Sequence, residues 1–551
     1  MGRRSRGVVG LSLAASAGLL GTYVGYPGLR KAHAATTCQV TSPSDTVAPL
    51  TAGELRYCLD QVNTSGGGTI TFAESTNGST IKLEDDLPEV TLTSSVTITG
   101  NGASKTIIDG DYNSAFYFDG ASPVTVTVTG VTIKDAEDRD GAAIQTENDA
   151  VIVVTNSRFE GNNASGGNGG AIDASGNVTV SGSTFTSNTA TGGDSEGGAI
   201  RTSAGDIYVT GSTFTYNTAG HDGGALHTRG GNVTITESTL TTNTADDDGG
   251  AVRTSGGDVT VTGSTFSGNT ATNGNGGAIR TSGGTVMVSE STLTTNAAGG
   301  DGGAIWVADG MVSATNSTFT GNSATSGGGA IMVYESVGNA YLNFVTMSGN
   351  TTSGGSSAAV DSFGIATVKN SIVWGNIGGD VIARGTTFSA SYSLFSAESS
   401  VSPTVTDPSL IFGEDPLLGS LGDNGGPTQT MLPVAGSPVI GTANPVDAPS
   451  TDQRGYTRTT NGRADMGAVE RLGLPPDADP SQVPPSWQQA QGREQQRASC
   501  PPGMAPSWAQ WPNEGTGGWT CEYTTWWDVN EGVGGGWVTT PGFRAGRIPG
   551  L

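Results

Sequence analysis

Residues 248–269 have the sequence DGGAVRTSGGDVTVTGSTFSGN, and close copies of this stretch fill the middle of the chain. Its tetrapeptide, GGAV, has counterparts of the form GGAI, GGAL or GAAI that begin at Gly141, Gly169, Gly197, Gly223, Gly276, Gly302 and Gly328. The steps between successive copies are 28, 28, 26, 26, 27, 26 and 26 residues. So regular a period indicates one supersecondary unit stacked many times, because each unit can bury its apolar face only against its neighbours.

Each copy contains two further segments whose sequence pattern predicts a strand. An alternating strand such as residues 259–262 follows the glycine-rich turn, and a segment of the form STFxxN comes next. The asparagines of this last segment are Asn162, Asn188, Asn217, Asn243, Asn269, Asn296 and Asn322. Parallel coils stack about 4.8 Å apart. We therefore expect these side chains to form a structural ladder. In it each side-chain amide donates a hydrogen bond to the amide carbonyl of the next asparagine, and the ladder supplies the hydrogen-bond partners of a buried turn.

The GGAI and FxxN motifs resemble the repeats of the polymorphic outer membrane proteins over about residues 130 to 380. The resemblance implies a right-handed parallel β-helix exposed at a cell surface. We predict an all-β fold of this type over residues 96–400, with coils of about 26 residues. Many secreted proteins share the fold, so it does not by itself predict a function.

The N-terminus has the pattern of an export signal. Arg3, Arg4 and Arg6 precede a largely apolar stretch, and residues 32–34 form an A-x-A cleavage site. We predict a signal peptide over residues 1–34, with a membrane anchor as the alternative and with the Sec and twin-arginine routes both open. No transmembrane segment is expected after cleavage, and the localisation predicted is secreted, cell envelope or cell surface.

Residues 35–95 are predicted to cap the open end of the solenoid. Their central feature is an amphipathic helix from Thr51 to Asn63, with Thr51 and Glu54 as a capping box. A cap of this kind hides unpaired strand edges.

The cysteines fall into two sequence-local pairs at opposite ends of the chain. Cys38 lies 20 residues before Cys58, and Cys500 lies 21 residues before Cys521. In an exported protein, two disulfides are the simplest interpretation, each stabilising by roughly 3 kcal/mol. A metal site is the alternative, disfavoured because the chain has only 3 histidines.

The C-terminal part divides into three predicted regions. Residues 401–471 contain DNGGPT, DQRG and DMGAVE in an order that resembles the choice-of-anchor Q domain of exported bacterial surface proteins, and we expect a C-terminal cap there. A Pro/Gln-rich linker follows over residues 472–497, and a Trp-rich, small disulfide module covers residues 498–551. Exposed aromatic rings stack on sugars, so the candidate glycan-binding residues are Trp508, Trp511, Trp519, Trp526 and Trp527.

The motifs of known polysaccharide-cleaving β-helices are not recognisable, and no catalytic residue is assigned. The candidates for acid–base catalysis are His221, Asp222, His227 and Arg229. They lie in one coil, which contains all the histidines that follow the predicted signal peptide. The alternative is that polar surface positions changed to histidine without any role.

A row of mostly acidic residues precedes the repeated tetrapeptides, and a short basic stripe follows them at Arg201, Arg253 and Arg280. Strand alternation places this stripe on the outer face. The two interpretations are a polar groove for glycan or Ca²⁺ and mutual charge compensation on a solvated face. No other cofactor is predicted.

The net charge of −25 disfavours nucleic acid as a partner. The partner expected is a cell-wall or extracellular glycan, or the surface of a host or neighbouring cell. The leading hypothesis is thus an exported, non-catalytic β-helix protein for adhesion or glycan binding. The alternative is a polysaccharide lyase or glycoside hydrolase of the same fold.

Overall fold

The computed structural model describes residues 36–120, 124–336, 338–354, 359–385, 387–402, 404–458 and 462–471, and the backbone of two strands near the C-terminus. Its rod is a right-handed parallel β-solenoid, which confirms the predicted fold class. Each turn lies about 26 residues after the last, and equivalent residues pair in parallel register. Three sheets form the walls of the rod.

The first wall, named the GGAI sheet, has 13 strands, and each repeated tetrapeptide leads into one of them. Its strands are Val90–Leu92, Phe116–Gly120, Ile144–Glu147, Ile172–Ala174, Ile200–Thr202, Leu226–Thr228, Val252–Thr254, Ile279–Thr281, Ile305–Val307, Ile331–Val333, Val360–Ser362, Val381–Ala383 and Val401–Ser402. The first residue of most of these strands is a buried Ile, Leu or Val.

The largest wall has 26 strands, most turns contributing two that meet at a bend. They are Thr36–Val40, Gly68–Phe72, Thr80–Lys82, Val96–Thr99, Ile107–Asp109, Thr125–Thr129, Thr132–Lys134, Val151–Thr155, Arg158–Glu160, Val178–Ser181, Thr184–Thr186, Ile207–Thr210, Thr213–Thr215, Val233–Thr236, Thr239–Thr241, Val259–Thr262, Thr265–Ser267, Val286–Ser289, Thr292–Thr294, Met311–Thr320, Asn339–Ser348, Ile365–Lys369, Ile372–Trp374, Phe388–Ser391, Leu394–Phe395 and Ile411–Phe412. Val and Thr alternate along many of them, which buries one face and leaves the other toward solvent.

The third wall has 9 very short strands. They are Glu137–Asp138, Asn163–Ser165, Thr189–Thr191, Thr218–Ala219, Thr244–Ala245, Thr270–Ala271, Ala297–Ala298, Ser323–Ala324 and Thr351–Thr352. The asparagine ladder stands at the corner just before these strands. For example, Asn217 donates from Nδ2 to Asn243 Oδ1 at 2.9 Å and to the carbonyl oxygen of Phe185 at 3.1 Å.

The N-terminal end is covered by an α-helix, Leu55–Ser65, which buries Leu55, Cys58, Leu59 and Val62. A disulfide joins Cys58 to Cys38 on the first strand, as predicted. The helix begins later than expected, and the predicted capping box is wrong. The Glu54 carboxylate instead accepts hydrogen bonds from the backbone nitrogen and hydroxyl of Thr46, at 2.8 and 3.1 Å.

Residues 404–458 and 462–471 form few regular elements and pack along the side of the rod, whereas we expected a C-terminal cap there. Gln453 Nε2 donates to the carbonyl oxygen of Ser291 at 3.1 Å, and Arg458 Nη2 donates to Asn316 Oδ1 at 2.7 Å. The backbone nitrogen of Gly467 donates to the carbonyl oxygen of Asn370 at 2.8 Å. The segment therefore spans successive bends of the largest wall, and we call it the side segment.

Short 3₁₀ helices occur at Glu74–Thr76, Glu398–Ser400 and Pro445–Asp447. Near the C-terminus, strands Met504–Gln510 and Gly517–Tyr523 pair antiparallel. The predicted signal peptide, the linker and the remainder of the Trp-rich module, with Cys500, lie outside the described residues. In the described part of the chain, no helix combines the length and the apolar character that crossing a membrane requires.

Candidate functional site

The outer face of the GGAI sheet carries a row of side chains that changes character along the rod. The residue after each buried Ile, Leu or Val stands directly above its counterpart in the next turn. From the N-terminal side this row is Asp173, Arg201, His227, Arg253, Arg280, Trp306, Met332 and Asp361. The row is ionic as far as Arg280, which we call its ionic half, and it is largely apolar in the remaining turns.

The ionic half is more buried than a solvated face, which corrects the expectation from strand alternation. The side chains of Arg201, Arg253 and Arg280 are only 13%, 16% and 14% exposed. Each guanidinium packs against a carboxylate that projects from the turn before it, as in the 3.1 Å contact between Arg280 Nε and Asp248 Oδ2. Alternation predicts which way a side chain leaves the strand, but the neighbouring turn decides whether water reaches it.

His227 lies at the centre of this ionic half and is fully buried. Its Nδ1 is 3.2 Å from Glu196 Oε2, and its Nε2 is 3.1 Å from Arg253 Nη1. Burial, and then the positive charges of Arg253 and Arg201, hold the pKa of His227 well below its usual value. The imidazole is therefore neutral, and a substrate in solvent does not reach it in this conformation.

The structure brings the other sequence candidates to the same cluster. His221 Nδ1 is 3.2 Å from Asp222 Oδ2, and Arg229 Nε is 3.2 Å from Glu196 Oε2. Burial raises the pKa of Asp222, although Arg253 and His221 oppose the shift. These contacts make the cluster an ion-pair network in which each carboxylate already has a positive or hydrogen-bonding neighbour.

Two groups in this network have the composition of a metal site. Glu196, Asp222 and His227 form one, and His221, Asp222 and Asp247 form the other, each with ligand atoms within 4.8 Å of one another. Calcium prefers six to eight oxygen ligands. Here Arg253 Nε lies 3.1 Å from Asp222 Oδ2, so a guanidinium already pairs with the carboxylate that both groups share.

Aromatic rings replace the ion pairs in the second half of the face. Trp306 and Tyr334 have ring centroids 5.9 Å apart, and those of Tyr334 and Phe363 are 5.3 Å apart. Guanidinium groups cover both ends of this row, with Arg280 4.7 Å from the Trp306 ring centroid and Arg384 5.0 Å from that of Phe363. Tyr334, between them, is 47% exposed.

A cavity of about 270 Å³ opens beside these rings. We call it the aromatic groove, and its lining residues are Asp301, Ser326, Gly327, Met332, Tyr334, Gly354, Asp361, Phe363 and Arg384. Asp361 is held by two hydrogen bonds from Arg384, at 2.7 and 2.6 Å. A Cβ atom placed on Gly327 would lie 2.9 Å from Asp301 Oδ1 and 3.3 Å from Asp361 Oδ2, so both carboxylates border the space that this glycine leaves open.

The two carboxylates of the groove have different surroundings. Asp361 lies against a guanidinium, with Arg384 Nη2 2.6 Å from Asp361 Oδ2. Asp301 is partly buried, and its pKa is raised by this burial and by the nearby negative charge of Asp361. Aromatic and bordered by charge, the groove has the features of a small-ligand site.

Sequence reasoning missed Tyr334, Asp361, Phe363 and Arg384. No GGAI tetrapeptide precedes the last three, because the repeat has drifted there to Ala359-Val360-Asp361. Aligning Ala359 and Val360 with the Ala-Ile of earlier copies would have placed Asp361 in the outer row. Of the predicted glycan-binding tryptophans, Trp508 and Trp519 are backbone partners in the antiparallel pairing of the C-terminal strands, and Trp511, Trp526 and Trp527 lie outside the described residues.

Comparison with known proteins agrees with this architecture. The family described as "Right handed beta helix region" matches residues 89–266. The Chlamydia polymorphic membrane protein repeat matches residues 263–282 and 316–334, so the chain contains repeats of that type, as predicted. No curated protein matches the chain.

Two solved structures are similar in fold. The catalytic domain of Agl-KA is 15% identical with a TM-score of 0.35, and the match covers 60% of this chain and 64% of that one. A mutant tailspike protein of E. coli bacteriophage HK620 is 15% identical with a TM-score of 0.27, and the match covers 65% of this chain and 73% of that one.

Proposed function

We propose that this is an exported cell-envelope or extracellular protein that binds a glycan in its aromatic groove. The observation that carries the proposal is the row of Trp306, Tyr334 and Phe363 beside the cavity, with the Tyr334 ring half exposed. Aromatic faces contribute large contact areas at little conformational cost, and a few polar groups then fix the orientation of the ligand.

Three sequence features support the cellular setting. The basic and apolar start of the chain, over residues 1–34, resembles an export signal. Residues 401–471 resemble the choice-of-anchor Q domain, which suggests attachment at a surface. The Trp-rich region over residues 498–551 would supply a second glycan contact.

The proposal is tested by measuring binding of the full chain, after removal of residues 1–34, to a panel of oligosaccharides. We expect Tyr334→Ala to weaken binding at least tenfold, because it removes the central exposed ring. Tyr208→Ala is the matched control, since Tyr208 is 40% exposed on the largest wall and should leave binding unchanged. Equal binding by the wild type and Tyr334→Ala would rule out the groove as the glycan site.

A second candidate function is glycan hydrolysis in the same groove. It is favoured by one observation, the approach of Asp301 and Asp361 to the same point above Gly327. Most glycosidases use such a carboxylate pair. Incubating the protein with the oligosaccharides that it binds, and assaying for new reducing ends, separates the two functions. Product formation that Asp301→Asn abolishes would establish hydrolysis.

A further inference from the structure

We infer that the ligand of the aromatic groove is a glycan that carries a free amino group, and that Asp301 binds this group. The inference rests on the proposed glycan binding in the groove and adds the chemical class of the sugar. It comes from charge balance along the outer face of the GGAI sheet.

The acidic row on this face follows a pairing rule. The carboxylate before one tetrapeptide contacts the residue after the tetrapeptide of the next turn. Thus Asp222 lies 3.1 Å from Arg253, and Asp248 lies 3.1 Å from Arg280. Each partly buried carboxylate in this part of the face is therefore neutralised by a neighbour one turn along the rod.

Asp301 does not follow this rule. The position one turn along is Met332, whose thioether carries no charge. Among the described residues, Asp301 forms no salt bridge. Burial raises its pKa and so does the negative charge of Asp361, while a hydrogen bond from the backbone nitrogen of Gly327 and the charge of Arg384 oppose the shift. The positive charge of Arg384 acts on Asp301 from a distance, but this guanidinium is hydrogen-bonded to both carboxylate oxygens of Asp361.

The groove therefore holds one negative charge in excess, next to the apolar walls that Met332, Tyr334 and Phe363 provide. A desolvated carboxylate is costly unless it is paired with a positive charge. An ammonium group would supply that charge and would also be attracted by the faces of the aromatic rings. A uronic acid, by contrast, would bring a second carboxylate close to Asp301 and Asp361.

The size of the groove limits the ligand to a small unit. Pockets for drug-sized molecules have volumes of roughly 300–1,000 Å³, and this cavity has about 270 Å³. One amino-sugar ring, stacked on Tyr334 with its ammonium toward Asp301, matches the cavity better than a long stretch of polymer. Adjacent sugars would then extend over the exposed outer face.

The test compares oligomers of glucosamine with fully N-acetylated oligomers of the same length, at a slightly acidic pH where the free amines are protonated. We expect the wild-type chain to bind the free amine at least tenfold more tightly. Asp301→Asn keeps the size of the side chain and should reduce amine binding to the level of the acetylated oligomer. Asp309→Asn is the control, because Asp309 is an exposed aspartate of the same turn.

The outcomes distinguish this inference from the proposed function. If both oligomers bind equally and Asp301→Asn changes neither, amine recognition is wrong while glycan binding in the groove stands. If neither oligomer nor any other glycan binds, and a lysine-rich peptide binds through Asp301 instead, both proposals are wrong. Loss of amine binding in Asp301→Asn with unchanged acetyl-oligomer binding in both proteins establishes the inference.

Discussion

At the residue scale, the asparagine ladder shows how a single side chain is fixed by its neighbours above and below. Asn243 Oδ1 accepts from both the backbone nitrogen and Nδ2 of Asn217, at 3.1 and 2.9 Å. Its own Nδ2 donates to Asn269 Oδ1 at 2.9 Å and to the carbonyl oxygen of Phe214 at 3.0 Å. The side chain is fully buried, so no water replaces these partners when they are lost.

We expect Asn243→Ala to reduce the free energy of unfolding by about 2–4 kcal/mol, since each buried polar group left without a partner costs about 1–3 kcal/mol. Urea denaturation followed by circular dichroism would measure the loss. Asn273→Ala is the control, because Asn273 is an exposed asparagine of the next turn and its loss should cost under about 0.5 kcal/mol. Equal losses in the two variants would contradict a role for the ladder in stability.

The sequence predicted this ladder because identical residues recur at the repeat spacing. It did not predict the groove, whose residues differ from turn to turn. The missing charged neighbour of Asp301 becomes apparent only in the structure, where Met332 occupies the position that an arginine occupies in other turns. Such a mismatch depends on which residue of the next turn a side chain reaches, and this is a property of the stacked rod.

At the element scale, the turn that enters each GGAI strand depends on its first glycine. Gly249 has a φ of +66°, a conformation that costs other residues about 1–2 kcal/mol. A Cβ atom there would also lie 2.4 Å from the carbonyl oxygen of Val252. Both the dihedral angle and the close contact exclude a side chain, which explains why a glycine starts every copy of the tetrapeptide.

Gly249→Ala should therefore lower stability by at least about 2 kcal/mol, through backbone strain and overpacking. Gly256→Ala lies in the same repeat and is the control, because a Cβ atom on Gly256 would meet nothing within 4 Å. We expect this control to change stability by less than about 1 kcal/mol. Thermal unfolding of the two variants checks the difference, and a Gly249→Ala protein as stable as the control would contradict the assigned role of the turn.

At the scale of the whole molecule, the side segment ties together turns that otherwise contact only their nearest neighbours. Its anchor is a buried cluster of Asp452, Arg454, Arg458, Asp465 and Glu470. The sequence showed the motifs that contain these residues, but it did not show that they pack against Asn316 and Ser291, far away in the chain. Repeat periodicity predicts contacts between adjacent turns, but it does not predict the contacts of a segment that lies outside the repeat.

The anchor cluster holds three carboxylates and two guanidinium groups, and the positive charge of Arg471 also acts on Asp465. Burial, and then the charge of Asp465, raise the pKa of Glu470 from 4.5 to about 9. Burial also raises the pKa of Asp465 to about 6. Glu470 is therefore the acid that keeps its proton at neutral pH, and its backbone nitrogen still donates to Asp452 Oδ2 at 2.8 Å.

A carboxyl group whose pKa is higher in the folded state binds its proton more tightly there than in the unfolded chain. Its contribution to stability is complete below the unfolded pKa of 4.5 and is lost as the pH rises to about 9. We therefore expect the side segment to detach more readily as the pH is raised over this range.

Glu470→Gln should reduce the pH dependence of this detachment, because the amide imitates the protonated acid. Hydrogen exchange of residues 439–468, corrected for intrinsic rates at each pH, would measure the detachment. Glu398→Gln removes an exposed glutamate and is the control. An unchanged pH slope in Glu470→Gln would mean that another group in the cluster holds the proton.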